Sequence, residues 1–206
     1  MQRALKEYLV MPTRPLELLQ ADITYVPIDG YGMHYVVDVI DYYSRYSLAT
    51  MFSDTQNAAA LMRAVELALE EAARLGLRIK TTAEIVLGAA RIKLLTDNGP
   101  SMISIAFATF AKDTQLQHLR TKNHRLETNG CIECFHGTLK YEEILGAMYP
   151  DPITAAERIN RFRLYYNDER IHQSLDYKTP MEVSNEWLRN QPETPARDSV
   201  THIHAA

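Results

Sequence analysis

The sequence predicts an α/β fold, a mixed sheet flanked by helices, and three observations carry that prediction. Residues 17–28 alternate apolar and polar side chains, and two more strand-forming runs follow after short turns. The period then changes to four residues at Leu61, Val65 and Leu69. Beyond these, short apolar runs and longer helical stretches take turns, giving the order β-β-β-α-β-α-β-α-α.

Each element has its own signal. Residues 1–16 are polar, contain Pro12 and Pro15, and read as a short helix and linker. In 17–28, Leu19, Ala21, Ile23 and Tyr25 face one way and Gln20, Asp22 and Thr24 the other, so Asp22 sits mid-strand on the polar face. Asp29-Gly30-Tyr31-Gly32 is a turn. Residues 33–40 are almost continuously apolar, as in a buried central strand. Asp41-Tyr42-Tyr43-Ser44 turns the chain into strand formers over 45–52, completing an antiparallel meander.

Ser53-Asp54-Thr55 offers N-cap residues and Gly76 a C-cap for a helix of about five turns. A strand over 91–96 ends at Asp97-Asn98-Gly99-Pro100; a helix near 101–113 and a strand near 115–119 follow. Residues 121–129 read as an irregular loop. A helix from Asn129 to about Gly146 carries Glu133 and is broken by Pro150 and Pro152. The last strong helix spans 154–168. From Asn190 the chain is polar, with Pro192 and Pro195, and is expected to be disordered. The expected organisation is a linker at 1–16, a core at 17–185 and a tail at 186–206, with no internal repeat.

At 206 residues and 46% apolar, the chain suits one globular unit with a real core. Net charge of −4 gives no nucleic-acid signature, but leaves room for a local basic patch. Two cysteines are too few for a disulfide framework. No apolar run approaches the roughly 20 residues of a membrane span, and Met-Gln-Arg-Ala-Leu-Lys-Glu is no signal peptide. The simplest placement is a reducing cytosol.

Three acids stand out: Asp22 in a strand, Asp97 at a strand end before Asn-Gly, and Glu133 on a helix, with thirty-five residues between the last two. Read singly, each is an ordinary structural acid. If they converge, they make a site for two hard divalent cations, since Mg²⁺ and Mn²⁺ prefer oxygen donors and such pairs serve phosphodiester chemistry. Glu133 shares a helix face with Asn129, Gly137 and Lys140. Gly137 would let a phosphate backbone approach, and Lys140 would add positive charge.

Five motifs in order give these acids a context. They are Asp22-Ile23-Thr24-Tyr25; Val39-Ile40-Asp41 with Ser44-Arg45; Thr96-Asp97-Asn98-Gly99; Asn129-Gly130 with Glu133 and Phe135-His136-Gly137-Thr138-Leu139-Lys140; and Tyr166-Asn167, Arg170, His172, Leu175 and Tyr177 with Thr179-Pro180. Over about 18–183 the chain resembles the catalytic domain of bacterial insertion-sequence transposases, in the retroviral-integrase superfamily with an Asp-Asp-Glu triad. The resemblance implies a ribonuclease H-like five-stranded sheet in which the first and fourth strands are neighbours. It implies two Mg²⁺ (or Mn²⁺) ions on Asp22, Asp97 and Glu133, with DNA cleavage followed by strand transfer. It also implies DNA as partner, a homodimer or higher oligomer, and action at the nucleoid in a bacterial cytoplasm, with no membrane. Two departures stand out: Cys131 and Cys134 flank Ile132-Glu133 where a basic residue is common, and Asp176 replaces a usual glycine. Relatives usually carry an N-terminal helix-turn-helix, and about twenty residues precede Asp22 here, so the expectation is either that a separate subunit or upstream-frame product recognises DNA ends or that this is a truncated copy or excised domain.

Other constellations compete. Asp38 and Asp41 could offer a fourth carboxylate, as in ribonuclease H itself, but structural roles are favoured, with Asp41 organising the turn with Ser44 and Arg45. Glu66 is expected on a solvated helix edge. His118, His124, Cys131 and Cys134 have zinc-ligand chemistry but an unusual spacing. Arg120, Lys122 and Arg125 form an acid-free basic stretch suited to DNA phosphates, and Arg158, Arg161 and Arg163 offer a second patch or a plain solvated face. His172 is expected to hold the C-terminal turn. Alternative functions are a silent DNA- or partner-binding remnant and a stand-alone metal-dependent nuclease.

Overall fold

A computed structural model describes residues 11–121 and 130–191. Its centre is a five-stranded mixed sheet in the order β3-β2-β1-β4-β5. The strands are β1 (Leu18–Ile28), β2 (Gly32–Asp41), β3 (Ser47–Ser53), β4 (Lys93–Thr96) and β5 (Gln117–Arg120). β1, β2 and β3 pair antiparallel as the expected meander, whereas β4 and β5 run parallel to β1. The expected 1–16 helix falls largely, and the 186–206 tail mostly, outside the described residues.

The strand alternation sorts side chains between two cores. Leu19, Ala21, Val37, Val39 and Leu94 face one side, where α1 (Ala58–Arg74) and α3 (Ile105–Asp113) pack; the short α2 (Thr82–Val86) lies between them in sequence. Ala60, Ala64, Ala68 and Ala72 recur every fourth residue on the buried face of α1, so the helix can lie close to the sheet. Asn57, rather than Ser53 to Thr55, caps α1 by accepting from the Ala60 N–H at 2.9 Å. Gly76, at φ +81°, closes it as the sequence predicts: its N–H bonds Ala73 and the Leu77 N–H bonds Ala72, the usual glycine-terminated helix end.

Val26, Ile28, Val36 and Ile40 face the other side, under α4 (Gly130–Leu139) and α5 (Pro152–Asp168). The polar face of β1 is therefore not a solvent face. Gln20 and Thr24 are buried there, with helices covering them. The helix carrying Glu133 was expected to reach Gly146; instead α4 passes at Lys140–Ile144 into one wide π-type turn. A further helix, α6 (Pro180–Arg189), was not expected, although Thr179, Pro180 and Glu182 form a proline-started capping box. Met181, Trp187 and Leu188 of α6 pack against the first core.

The C-terminal signature is a structural clamp. β3 carries an irregularity where Ile40 pairs with Ser47 but Val39 with Ala49, leaving Leu48 as an extra residue. Buried Asn167 fills this gap: its Oδ1 accepts from the Ser47 N–H at 2.8 Å and its Nδ2 donates to the Ser47 carbonyl at 3.0 Å. Tyr166 is buried edge-on between Phe135 and His172, each 4.7 Å away between ring centroids. The His172 backbone N–H donates to the Lys178 carbonyl at 3.0 Å, closing the turn through the main chain. Asp176 has φ +53°, a left-handed conformation that explains why glycine is common there. Asp41 is structural as expected, accepting from the Leu16 and Ser44 N–H groups and the Ser44 hydroxyl.

Candidate active site

Two neighbouring parallel strands bring the first two acids together. The register pairs Ala21 of β1 with Thr96 of β4, so Asp22 and Asp97 each lie one residue beyond a bonded pair. Adjacent strands are about 4.8 Å apart. Asp22 keeps 24% of its side chain exposed, and its Oδ1 accepts from the Ile23 N–H at 2.8 Å.

Asp97 opens the loop after β4. Its Oδ1 accepts from the Gly99 N–H at 2.8 Å. A Cβ on Gly99 would lie 3.1 Å from that oxygen, so glycine there keeps the carboxylate uncrowded. Asn98 Nδ2 donates to the Thr121 carbonyl at 2.7 Å, tying the loop to the end of β5. Thr96 Oγ1 lies 2.9 Å from His118 Nε2, and burial with the nearby Arg120 charge pushes the His118 pKa down.

α4 runs along β1 and carries Glu133. The Ile132 N–H donates to Gln20 Oε1 at 2.9 Å, and one turn later His136 reaches Asp22. Glu133, between these anchors, is exposed. A Cβ on Gly137 would meet nothing within 4 Å, so packing inside the chain does not require glycine there. Lys140 is exposed where α4 meets the wide turn.

Behind Asp22 lies a cluster in which His136, given no role from sequence, links Asp22 to Asp38. Asp38 stands directly across from Asp22 on β2, and His136 lies between them. His136 Nε2 is 2.8 Å from Asp38 Oδ2, and Nδ1 is 3.4 Å from Asp22 Oδ2. Burial opposes a charged ring, but the two carboxylates outweigh it and push the His136 pKa up to about 9. Burial pushes the Asp38 pKa up as well, against the pull of His136. The turn expected at Asp29–Gly32 would set Asp22 opposite Val39; Gly32 instead pairs with Ile28, and counting outward from that pair sets Asp22 opposite Asp38. Asp38 is therefore part of the site's surroundings, not only of the strand.

The three triad carboxylates supply only hard oxygen donors and none of the three residues is buried, which fits Mg²⁺ or Mn²⁺. Among the described residues, no group of three or more His, Cys, Asp or Glu stands close enough to hold a metal ion as the side chains lie. The same holds for the zinc-type set. Cys131 is buried, burial pushes its thiol up to about 11, and His118 is bonded to Thr96. His124 lies outside the described residues.

Of the expected DNA contacts, Lys122, Arg125 and Asn129 lie outside the described residues, and Arg120 is exposed at the end of β5. On α5, Arg158 pairs with Glu143 at 2.9 Å and Arg163 donates to the Ser47 carbonyl at 3.2 Å. Arg158 and Arg163 thus have partners within the fold, and Arg161 is exposed. Among the described residues, no helix is long and apolar enough to cross a membrane.

A family model described as Integrase core domain matches residues 12–125, and a second of the same description matches 114–180. The chain is 24% identical over 197 residues, 87% of its length, to ORF3 of Spiroplasma virus SpV1-C74, a protein that carries an integrase name. It is 29% identical over 118 residues, 52% of its length, to the Escherichia coli transposase InsD for insertion element IS2. It spans 51% and 39% of these two relatives' lengths. The dimeric HTLV-2 integrase catalytic core domain in complex with magnesium superposes with a TM-score of 0.57 at 17% identity, covering 84% of this chain and 98% of that one. That likeness shows a ribonuclease H-like fold.

Proposed function

Because the chain belongs to the integrase core domain family, we propose that it is the catalytic core of an insertion-sequence transposase, cutting DNA phosphodiesters and transferring strands at Asp22, Asp97 and Glu133. The observation that supports this most is the parallel register of β1 and β4. It sets Asp22 beside Asp97 while α4, anchored along β1, carries Glu133.

Asp22, Asp97 and Glu133 would hold two Mg²⁺ (or Mn²⁺) ions when DNA is bound. Such ions activate an attacking water or 3′-hydroxyl and neutralise the leaving oxygen. The chain's own residues hold and orient. Lys140 would meet a DNA phosphate beside Glu133, and Gly137 leaves room for the backbone. Arg120, Lys122, Arg125 and Asn129 would steady the DNA before α4. A homodimer or higher oligomer would bring two element ends together, with a helix-turn-helix subunit or upstream-frame product finding them. The work would be done in a bacterial cytoplasm, at the nucleoid.

A second reading is a DNA- or partner-binding chain that does not cut. It is favoured by one observation: among the described residues the three carboxylates are not drawn up as one metal-holding group. Oligonucleotides carrying the inverted repeats that flank the gene, mixed with the protein and Mn²⁺, separate the readings. Strand joining that disappears in Glu133→Gln supports the transposase. Cleavage without joining or end preference indicates a nuclease, and binding without cleavage in any divalent metal indicates the non-enzymatic reading.

A further inference from the structure

We infer that His136 is a positioning residue for the Asp22 carboxylate, itself held in place by Asp38. The inference rests on the reading of Asp22 as a metal ligand. It concerns two residues outside the triad.

The antiparallel register sets the Asp22 and Asp38 carboxylates opposite each other on one face of the sheet. Like charges directly across a strand pair are unfavourable. His136 relieves this from α4, with Nε2 at 2.8 Å from Asp38 and Nδ1 at 3.4 Å from Asp22. The ring thus bridges the two carboxylates, hydrogen-bonded to Asp38 and in contact with Asp22.

The three groups differ in access. Asp38 has no exposed side chain, His136 has 8% and Asp22 has 24%. Asp38 and His136 are thus interior supports, and Asp22 is the member that solvent can reach. Among the described residues, Asp38 Oδ1 is buried with no hydrogen-bond partner. A fold needing only stability would place an apolar pair here, because replacing buried charges with well-packed apolar residues is often neutral or stabilising. The cluster is better explained by what it does for its exposed end.

The ring itself is immobilised. α4 is anchored through the Ile132 N–H to Gln20, and Phe135, next to His136, is buried edge-on against Tyr166. The Asp22 carboxylate is then held at Oδ1 by a hydrogen bond from the Ile23 N–H and met at Oδ2 by the His136 ring at 3.4 Å. A carboxylate has about four lone-pair sites, so these contacts leave capacity for a cation. Outer partners of this kind typically change metal affinity about 10–100-fold when removed.

The test is Mn²⁺ binding to the full chain without DNA, read as free Mn²⁺ by electron paramagnetic resonance. The relevant component is the one lost in Asp22→Asn. His136→Gln keeps a donor towards Asp38 but none towards Asp22, and should weaken that component by about 10-fold or more. His136→Asn keeps a donor at the Nδ1 position and should bind more tightly than the Gln variant. Wild-type affinity in His136→Gln overturns the inference and leaves the site standing. Mn²⁺ binding that is unchanged in Asp22→Asn overturns the site and the inference together. A second measurement needs no variant at position 136: the His136 imidazole ¹⁵N resonances should shift as Mg²⁺ is added to wild type, but not to Asp22→Asn. Resonances that stay fixed in wild type overturn the inference even if the substitutions at 136 fail to fold.

Discussion

Asn167→Ala removes a side chain that joins α5 to the irregular start of β3, 120 residues away in sequence. Two hydrogen bonds disappear, at 2.8 Å and 3.0 Å. Their losses are unequal. The Ser47 carbonyl keeps a partner in Arg163 Nη1 at 3.2 Å, but the buried Ser47 N–H loses the acceptor that Asn167 provided. An unsatisfied buried donor costs about 1–3 kcal/mol, and the second bond adds about 1 kcal/mol. The expected loss is therefore about 2–4 kcal/mol, a large share of the roughly 5–15 kcal/mol that holds a domain together. Urea unfolding followed by circular dichroism reads it as a lower midpoint at unchanged slope. The exposed neighbour gives the control, since Asp168→Ala should stay within about 0.5 kcal/mol of wild type. An Asn167→Ala protein as stable as the control would refute the idea that this asparagine completes the strand irregularity.

Further outcomes follow from the same contacts. Arg74, with Tyr46 and Arg163, holds the Glu71 carboxyl down to about 2. A depressed carboxyl contributes stability above its unfolded pKa of about 4.5, and that contribution is lost as pH falls from there towards 2. Glu71→Gln should therefore melt below wild type at pH 7, and the gap should close by about pH 2; a gap that is constant with pH contradicts the ion pairing. Asp176→Gly relieves the left-handed conformation at φ +53° and should stabilise by about 0.5–1 kcal/mol in thermal melts; a lower melting temperature would say that the aspartate side chain matters more than the backbone. Lys140→Ala should weaken DNA binding for every sequence and lower the salt slope by about 1 in fluorescence anisotropy titrations; an unchanged slope removes Lys140 from the phosphate contacts.

The strands were legible because alternation is local: Leu19, Ala21 and Ile23 sort from Gln20, Asp22 and Thr24 without knowing what covers each face. What alternation does not give is the nature of the cover. Gln20 and Thr24 look solvent-facing in sequence yet are buried, because α4 lies over them and Gln20 bonds its backbone. The β1–β4 pairing that sets Asp22 beside Asp97 was implied only by the family resemblance, since a parallel pairing leaves no local mark. His136 was quoted within a motif without a role, because its partners lie 98 residues or more away. The wide turn after Leu139 was hidden for a different reason: its residues are ordinary helix formers. α6 was not expected although its capping box is written in the sequence: Thr179 closes the C-terminal signature, and its partner Glu182 lies just beyond it.

The most direct test of the central claim is anomalous scattering from crystals of the full chain soaked in Mn²⁺. The account predicts at least one strong anomalous peak bounded by the carboxylates of Asp22 and Asp97, with Glu133 drawn in from α4. Ordered carboxylates at these positions with no Mn²⁺ between them would contradict it.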